Sequence, residues 1–232
     1  AALPADDPKL ASAVGLLKAW DHRATADSAG AALYETWIAK HLGRAVVARA
    51  VPAAAQPAVG AGDIAAVMLL LETPDERLPT AARDAALRES LVGAYDEVAQ
   101  RLGPDPKAWA WGALHQARFE HALSPWAPDD LKPALAVGPA PMAGTTLSPL
   151  AASWRAEDFR VIAGASFRMV LDVGAWDNSM TINTPGQSGS PESPHYRDLF
   201  PLWAKGQYVP MVYSRKAVED ATETVIRLTP AR

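Results

Sequence analysis

Serine, histidine and aspartate lie close together between residues 186 and 198. Ser188 stands in Gly-Gln-Ser-Gly-Ser, which is similar to the G-x-S-x-G turn that exposes a catalytic serine between a strand and a helix. The match fails at one position, because Ser190 replaces the second glycine, and Pro191 follows in place of a helix. The sequence therefore favours a glycine-rich turn, with a catalytic Ser188 as the alternative.

His195 and Asp198 form a second candidate arrangement. On one helix, a spacing of three residues lets a carboxylate orient an imidazole, and Ser193 lies near enough to be a candidate nucleophile. In the alternative interpretation, Ser193 caps a helix that begins at Pro194, and His195 and Asp198 bind its exposed first turn or neighbouring loops. The pattern favours this structural interpretation.

The other histidines and paired carboxylates lack the spacing of a known site. No histidine belongs to an H-E-x-x-H pattern or has a carboxylate placed to complete a zinc site, so we predict no metal. Residues 60–62 lack the rest of a dinucleotide fingerprint, and no phosphate-binding G-x-x-x-x-G-K-[ST] loop is present. We expect the carboxylates to cap helices or face solvent. These residues are His22, His41, His115, His121, Asp6, Asp7, Asp129, Asp130, Glu219 and Asp220.

Composition excludes several other classes of protein. The 232 residues contain no cysteine, which rules out disulfide bonds, thiolate catalysis and cysteine-bound zinc. The net charge of −4, without a run of lysine or arginine, argues against nucleic-acid binding. The longest nearly uninterrupted apolar run, residues 64–71, is far shorter than the roughly 20 residues of a spanning helix. The first residues also lack the layout of a signal peptide.

The elements that must position these residues change in type along the chain. Residues 1–103 predict helices, because apolar side chains recur with a period near 3.6, and residues 50–62 predict a loop. Residues 166–173 alternate, which places Phe167 and Met169 on one face of a strand and Arg168 on the other. The predicted helices begin at Asp7, Ser28, Asp63, Thr80, Ser193 and Ser214. The second helix is predicted to end at Gly43 and the fourth at Gly103. Further strands are predicted at residues 179–184, 208–213 and 222–228.

Blocks of sequence over nearly the whole chain resemble the penicillin acylases, in particular the C-terminal part of their β subunit. The resemblance implies an α+β chain, with a helical N-terminal half and a mixed helix and strand C-terminal half, that is part of an αββα N-terminal-nucleophile hydrolase fold. The blocks are residues 16–21, 32–37, 111–121, 138–144 and 164–172, then Gly186-Gln-Ser-Gly, Ser193-Pro-His-Tyr-Arg-Asp, Leu202-Trp203 and Tyr208-Val-Pro-Met.

The resemblance implies an enzyme that hydrolyses linear amide bonds. Members of this family are made as a precursor, are exported to the periplasm or secreted in many cases, and are processed autoproteolytically into an α and a β subunit. The serine that begins the β subunit attacks the substrate amide, with its own α-amino group as the base. The family acts on penicillins, cephalosporin side chains, acyl-homoserine lactones and other N-acyl compounds.

None of the family's catalytic positions falls on this chain, which begins with Ala1. We therefore predict no catalytic residue, metal or cofactor here, and no amidase activity for the chain alone. The expected partners are the α subunit and the N-terminal part of the β subunit, together with a small N-acyl substrate, but neither nucleic acid nor membrane. Regions 1–103 and 104–232 are expected to form one continuous unit with a missing partner segment, which leaves an open sheet edge. The alternative is a non-catalytic structural or interaction module.

Overall fold

Helices dominate the first half of the chain in the computed structural model, which describes residues 7–230. The predicted starts are confirmed: the carboxylate of Asp7 accepts from the N–H of Lys9, the hydroxyl of Ser28 from that of Ala31, and the carboxylate of Asp63 from that of Ala66. Such caps satisfy the free amides of a first turn. The helices are α1 (Pro8–Ala19), α2 (Ala29–Thr36), α3 (Gly43–Ala50), α4 (Gln56–Val59), α5 (Ile64–Glu72), α6 (Thr80–Leu102) and α7 (Trp111–Leu114).

The predicted end of the second helix at Gly43 is wrong. The helix runs from α2 through a π-helical turn, Trp37–Leu42, directly into α3. A Cβ atom on Gly43 would lie 2.2 Å from the carbonyl oxygen of Ala61, so glycine is required by a close backbone approach. Gly103, by contrast, has φ of 98° and does end α6, as predicted.

The core of the helical region lies along α6. Its side chains pack against α1, α2, the π-helical turn and α3. Leu10, Leu33 and Leu91 are buried together, and the indole N–H of Trp37 donates to the hydroxyl of Ser90 at 2.8 Å. The periodic apolar stripes therefore identified the faces of these helices that are buried.

The chain divides into two compact units. Within the described residues, the first contains 7–117 and 140–163, and the second contains 118–139 and 164–230. Two small sheets, each of two strands, pair β1 (Gln116–Phe119) with β2 (Val137–Pro141) and β3 (Ala152–Trp154) with β4 (Val161–Gly164). Three helices, α8 (Lys132–Leu135), α9 (Phe200–Ala204) and α10 (Arg215–Asp220), lie in the second unit.

A three-stranded antiparallel sheet organises the second unit. Its order is β5 (Phe167–Val170), β6 (Met180–Asn183) and β7 (Val209–Pro210). Arg168 lies opposite Ile182 across the first pair of strands, and Met180 lies opposite Pro210 across the second. β7 is shorter than predicted. The N–H of Met211 still donates to the carbonyl of Ser179, but the amides of Tyr213 and Ser214 donate instead to the carboxylate of Asp177.

Two predictions for the C-terminal region are wrong. The helix expected at Ser193 begins instead at Phe200, because residues 193–199 form turns whose last amide, of Leu199, donates to the carbonyl of Pro185. Residues 222–228 form no strand, and the side chains of Val225 and Leu228 are at least 80% exposed. Among the described helices, none combines the length and the apolar character needed to cross a membrane.

Candidate functional site

The loop of residues 185–199, in the second unit, brings the predicted serine, histidine and aspartate residues close together. The N–H of Ser188 donates to the carbonyl of His195 at 3.0 Å, which closes the loop on itself. Gly186 lies so close to the returning chain that a Cβ atom there would be 2.2 Å from the same carbonyl oxygen. The glycine-rich motif is therefore explained by the tight folding of this loop.

His195 and Asp198 do interact, although no helix holds them. The Nδ1 of His195 and the Oδ2 of Asp198 are 2.8 Å apart, and this hydrogen bond holds the pKa of the carboxyl below its ordinary value. The carboxylate orients the imidazole, as in catalytic pairs. However, the side chain of His195 is 70% exposed, so the pair lies in solvent and not in an enclosed site.

Neither serine is bound to this imidazole. The hydroxyl oxygen of Ser188 accepts from the N–H of Ser190 at 3.1 Å, and that of Ser193 accepts from the N–H of His195 at 3.2 Å. Both contacts span two residues and stabilise turns. Among the described residues, no hydrogen bond joins a serine hydroxyl to the ring of His195, so the geometry that a serine nucleophile needs is not assembled.

The remaining histidines have structural surroundings. His115 is buried, stacks on Trp111 with ring centroids 4.7 Å apart, and is 2.9 Å through Nδ1 from the carbonyl of Met142. Burial lowers the pKa of His115, so this ring is neutral near pH 7. His41 contacts the carboxylate of Glu97, while His22 lies beside the Trp20 ring and the Nδ1 of His121 accepts from the N–H of Leu123.

The paired carboxylates also have ordinary partners. Asp129 accepts from Lys132, Glu219 from Arg215, and Asp220 from Lys216, all on exposed surface. Asp6 and Ala1 lie outside the described residues. In the part of the chain that the structure describes, no three acidic or histidine side chains gather as metal ligands. That this chain contains no catalytic residue stays a prediction.

A cavity of about 320 Å³, which no sequence pattern indicates, lies beside the loop in the same unit. Its walls are mostly apolar and include Phe119, Leu135, Thr184 and Tyr196. The hydroxyl of Tyr196 donates to the carbonyl of Leu135 at 2.8 Å, which fixes one wall. The volume is at the lower end of small-molecule sites, roughly 300–1,000 Å³. Distant stretches of chain supply the walls, so no local pattern could have revealed it.

Arg168 has a position that alternation alone did not predict. Its guanidinium lies over the ring of Trp203, 4.6 Å from the centroid, and Nη1 donates to the carbonyl of that residue at 3.0 Å. The indole N–H of Trp203 donates in turn to the carbonyl of Ala165. These contacts hold α9 against β5, so the face of β5 that carries the arginine is the packed face.

Comparisons with known proteins agree on one family. The penicillin amidase family matches residues 1–220. An acyl-homoserine lactone acylase QuiP from Pseudomonas fluorescens is 30% identical over an alignment that covers 97% of this chain and 28% of the relative. The penicillin acylase 2 proenzyme from Pseudomonas sp. strain SE83 is 32% identical over 93% of this chain and 28% of its own length. The chain thus spans less than a third of these relatives.

A solved structure has the same fold. A thermostable penicillin G acylase from Alcaligenes faecalis superposes with a TM-score of 0.51 at 17% identity, over 99% of this chain and 44% of that chain. The likeness confirms the predicted α+β class and its place in the N-terminal-nucleophile hydrolase fold.

Proposed function

Because the chain belongs to the penicillin amidase family, we propose that it is the C-terminal portion of an amidohydrolase that cleaves the amide bond of N-acyl substrates. The observation that carries this proposal is the family match over residues 1–220. It is supported by relatives at 30% identity or more that are named acyl-homoserine lactone acylase and penicillin acylase. Candidate substrates are penicillins, cephalosporin side chains and acyl-homoserine lactones.

The nucleophile of this enzyme is an N-terminal serine on another segment of the precursor. Its hydroxyl adds to the amide carbonyl while its α-amino group takes the proton; the tetrahedral intermediate then collapses, the C–N bond breaks, and the amine leaves with that proton. Water then hydrolyses the acyl-enzyme, which releases the carboxylic acid and restores the serine hydroxyl. Two observations favour a nucleophile outside these residues. The serines near His195 are engaged in turns, and the matched relatives are more than three times as long as the part they share with this chain.

The role of this chain in the enzyme is structural: it supports the active site that contains the N-terminal serine. The helices packed along α6 and the sheet braced by Trp203 form two scaffolds. The partners are the α subunit and the N-terminal part of the β subunit, formed by autoproteolytic processing, and the enzyme is periplasmic or secreted. Alone, the chain has no amidase activity.

A reaction with a trapped intermediate tests the proposal. The 232-residue chain, alone and with the remaining segments of its precursor, is incubated with penicillin G or with an acyl-homoserine lactone, and the acyl adduct is located by mass spectrometry. We expect turnover only in the complex, with the adduct on the first residue of a companion chain. Turnover by the pure chain, or an adduct on Ser188 or Ser193, contradicts the proposal. Absence of a companion that begins with Ser, Thr or Cys favours a structural module.

A further inference from the structure

An open apolar groove, the Trp37 groove, lies on the surface of the first unit. It has a volume of about 490 Å³ and is bounded by α1, the π-helical turn, α5 and α6, all of which belong to that unit. Its floor consists of apolar side chains that the neighbouring core clusters bury only in part. These side chains are Val14, Leu17, Trp37, Leu71 and Leu87. The volume falls within the range of small-molecule sites, roughly 300–1,000 Å³.

The polar groups of one wall are already satisfied within the protein. The indole N–H of Trp37 donates to the hydroxyl of Ser90 at 2.8 Å, and that hydroxyl donates in turn to the carbonyl of Leu87 at 3.2 Å. This chain of hydrogen bonds fixes the indole ring against α6. The ring therefore offers a ligand only its apolar surface, and a ligand group that lies on it has to be apolar as well.

The rim of the Trp37 groove carries one uncompensated positive charge. Arg83 and Asp84 pair with each other, with Nη2 and Oδ1 2.8 Å apart, so their charges largely cancel. Lys18, in the last turn of α1, is exposed and has no hydrogen-bond or ion-pair partner among residues 7–230. A free ammonium thus lies at the end of an apolar floor.

A second groove between α1 and α6, the Asp96 groove, has the opposite electrostatic character. Its walls include three acidic side chains, two of which have ion-pair partners outside the groove, and one basic side chain. They are those of Asp7, Glu89, Asp96 and Arg88. An anion is therefore disfavoured in the Asp96 groove and favoured in the Trp37 groove, although the same two helices form part of both.

We propose that the Trp37 groove binds a medium-chain carboxylate, with its aliphatic chain on the apolar floor and its carboxylate beside Lys18. The floor favours an aliphatic chain because burial removes the chain from water. The free ammonium favours an anionic end group. The inference goes beyond the proposed function, which supplies only a source for the ligand: hydrolysis of an N-acyl substrate releases a carboxylic acid. The occupant is the free acid and not a membrane lipid.

The length and charge of the ligand test the two halves of the inference. Octanoate, decanoate and decyltrimethylammonium are titrated by calorimetry into the enzyme assembled from the 232-residue chain and the remaining segments of its precursor. Each methylene buried in an apolar site strengthens binding about fourfold, so decanoate should bind about 15-fold more tightly than octanoate. The cation of equal chain length should bind more weakly than decanoate. Equal affinity for the two acids, or for decanoate and the cation, overturns the inference.

Variants of Lys18 locate the carboxylate. Lys18→Gln removes the free charge from an exposed side chain and should weaken decanoate binding about threefold, a typical effect for an exposed ion pair. Lys18→Arg keeps the charge and should retain wild-type affinity. Lys107→Gln, at an exposed lysine elsewhere in the same unit, is the matched control and should change nothing. Wild-type affinity in Lys18→Gln, or an equal loss in the control, contradicts the inference.

A photoreactive acid locates the aliphatic chain. Decanoic acid with a diazirine near its methyl end is irradiated with the assembled enzyme, and the labelled residues are identified by mass spectrometry. We expect labels on Leu17, Leu71 or Leu87 in the Trp37 groove, and none in the Asp96 groove. Labels found only outside the Trp37 groove, or no label at all, overturn the inference. Labelling that requires phospholipid vesicles assigns the groove to a membrane lipid and overturns it too.

This inference and the proposed function fail in different ways. An enzyme that forms an acylated N-terminal serine but takes no label in the Trp37 groove refutes only the carboxylate site. An enzyme that is labelled in this groove but never hydrolyses an N-acyl substrate refutes only the proposed reaction.

Discussion

Replacing Glu35 with glutamine should make the protein more stable at pH 8 and leave its stability nearly unchanged at acid pH. Glu35 lies in the last turn of α2, mostly buried, and no described residue forms a hydrogen bond or ion pair with its carboxylate. Burial raises the pKa of Glu35 from 4.5 to about 7. The folded protein therefore binds this proton more tightly than the unfolded chain, and its stability falls as the pH rises from 4.5 to 7.

The size of the effect follows from that pKa difference. At about 1.36 kcal/mol per pH unit, ionised Glu35 costs the folded state about 3 kcal/mol above pH 7. Glu35→Gln removes this cost, which corresponds to a rise in Tm of roughly 6–12 °C for a chain of this size. Below pH 4.5 both side chains are neutral, so the two proteins should have similar stability.

Urea unfolding between pH 4.5 and 8.5 measures the difference. The matched control is Glu76→Gln, which neutralises an exposed carboxylate in a turn of the same unit. We expect the stability gained by Glu35→Gln to grow across this range and that of the control to stay constant. A gain that does not change with pH, or one equal to that of the control, refutes the argument from burial.

Three further predictions concern five substitutions. Gly15→Ala, on an open part of α1, should raise the free energy of unfolding by about 1 kcal/mol in thermal unfolding. Gly43→Ala should lower it by about 1–3 kcal/mol, because the added Cβ atom meets the backbone of Ala61. A change of the same sign in both variants would refute the close approach at Gly43. Glu97→Gln should lower the free energy of unfolding, measured in urea at pH 7, by about 1–2 kcal/mol, and by less as the pH falls. Burial acts to raise the pKa of the Glu97 carboxyl, but hydrogen bonds from Lys40 and His41 outweigh burial, so the pKa is lowered. A loss of stability that does not change with pH would contradict this prediction. Ser188→Ala and His195→Ala should leave amidase turnover of the assembled enzyme within twofold, and a 100-fold loss would make them catalytic.

Local interactions explain which elements could be predicted. The helix starts at Asp7, Ser28 and Asp63 depend on a side chain binding an amide two or three residues away, and both partners lie within one stretch of sequence. The prediction of a helix at Ser193 was wrong because a competing hydrogen bond, from the N–H of Leu199 to the carbonyl of Pro185, closes a loop between residues farther apart in the sequence. The segment 222–228 has strand-forming residues, but a strand needs a partner, and sequence alone does not supply one.

The sequence by itself determined the absence of cysteine chemistry, most helix starts and the family resemblance, because each depends on residue types or short spacings. Only the tertiary structure decided why Gly43 is a glycine, since the carbonyl of Ala61 comes from outside that helix. It also decided which face of β5 is covered. Alternation separates Arg168 from Phe167 and Met169, but what packs on each face is set by distant chain: Trp203 covers the arginine, and the apolar face stays open.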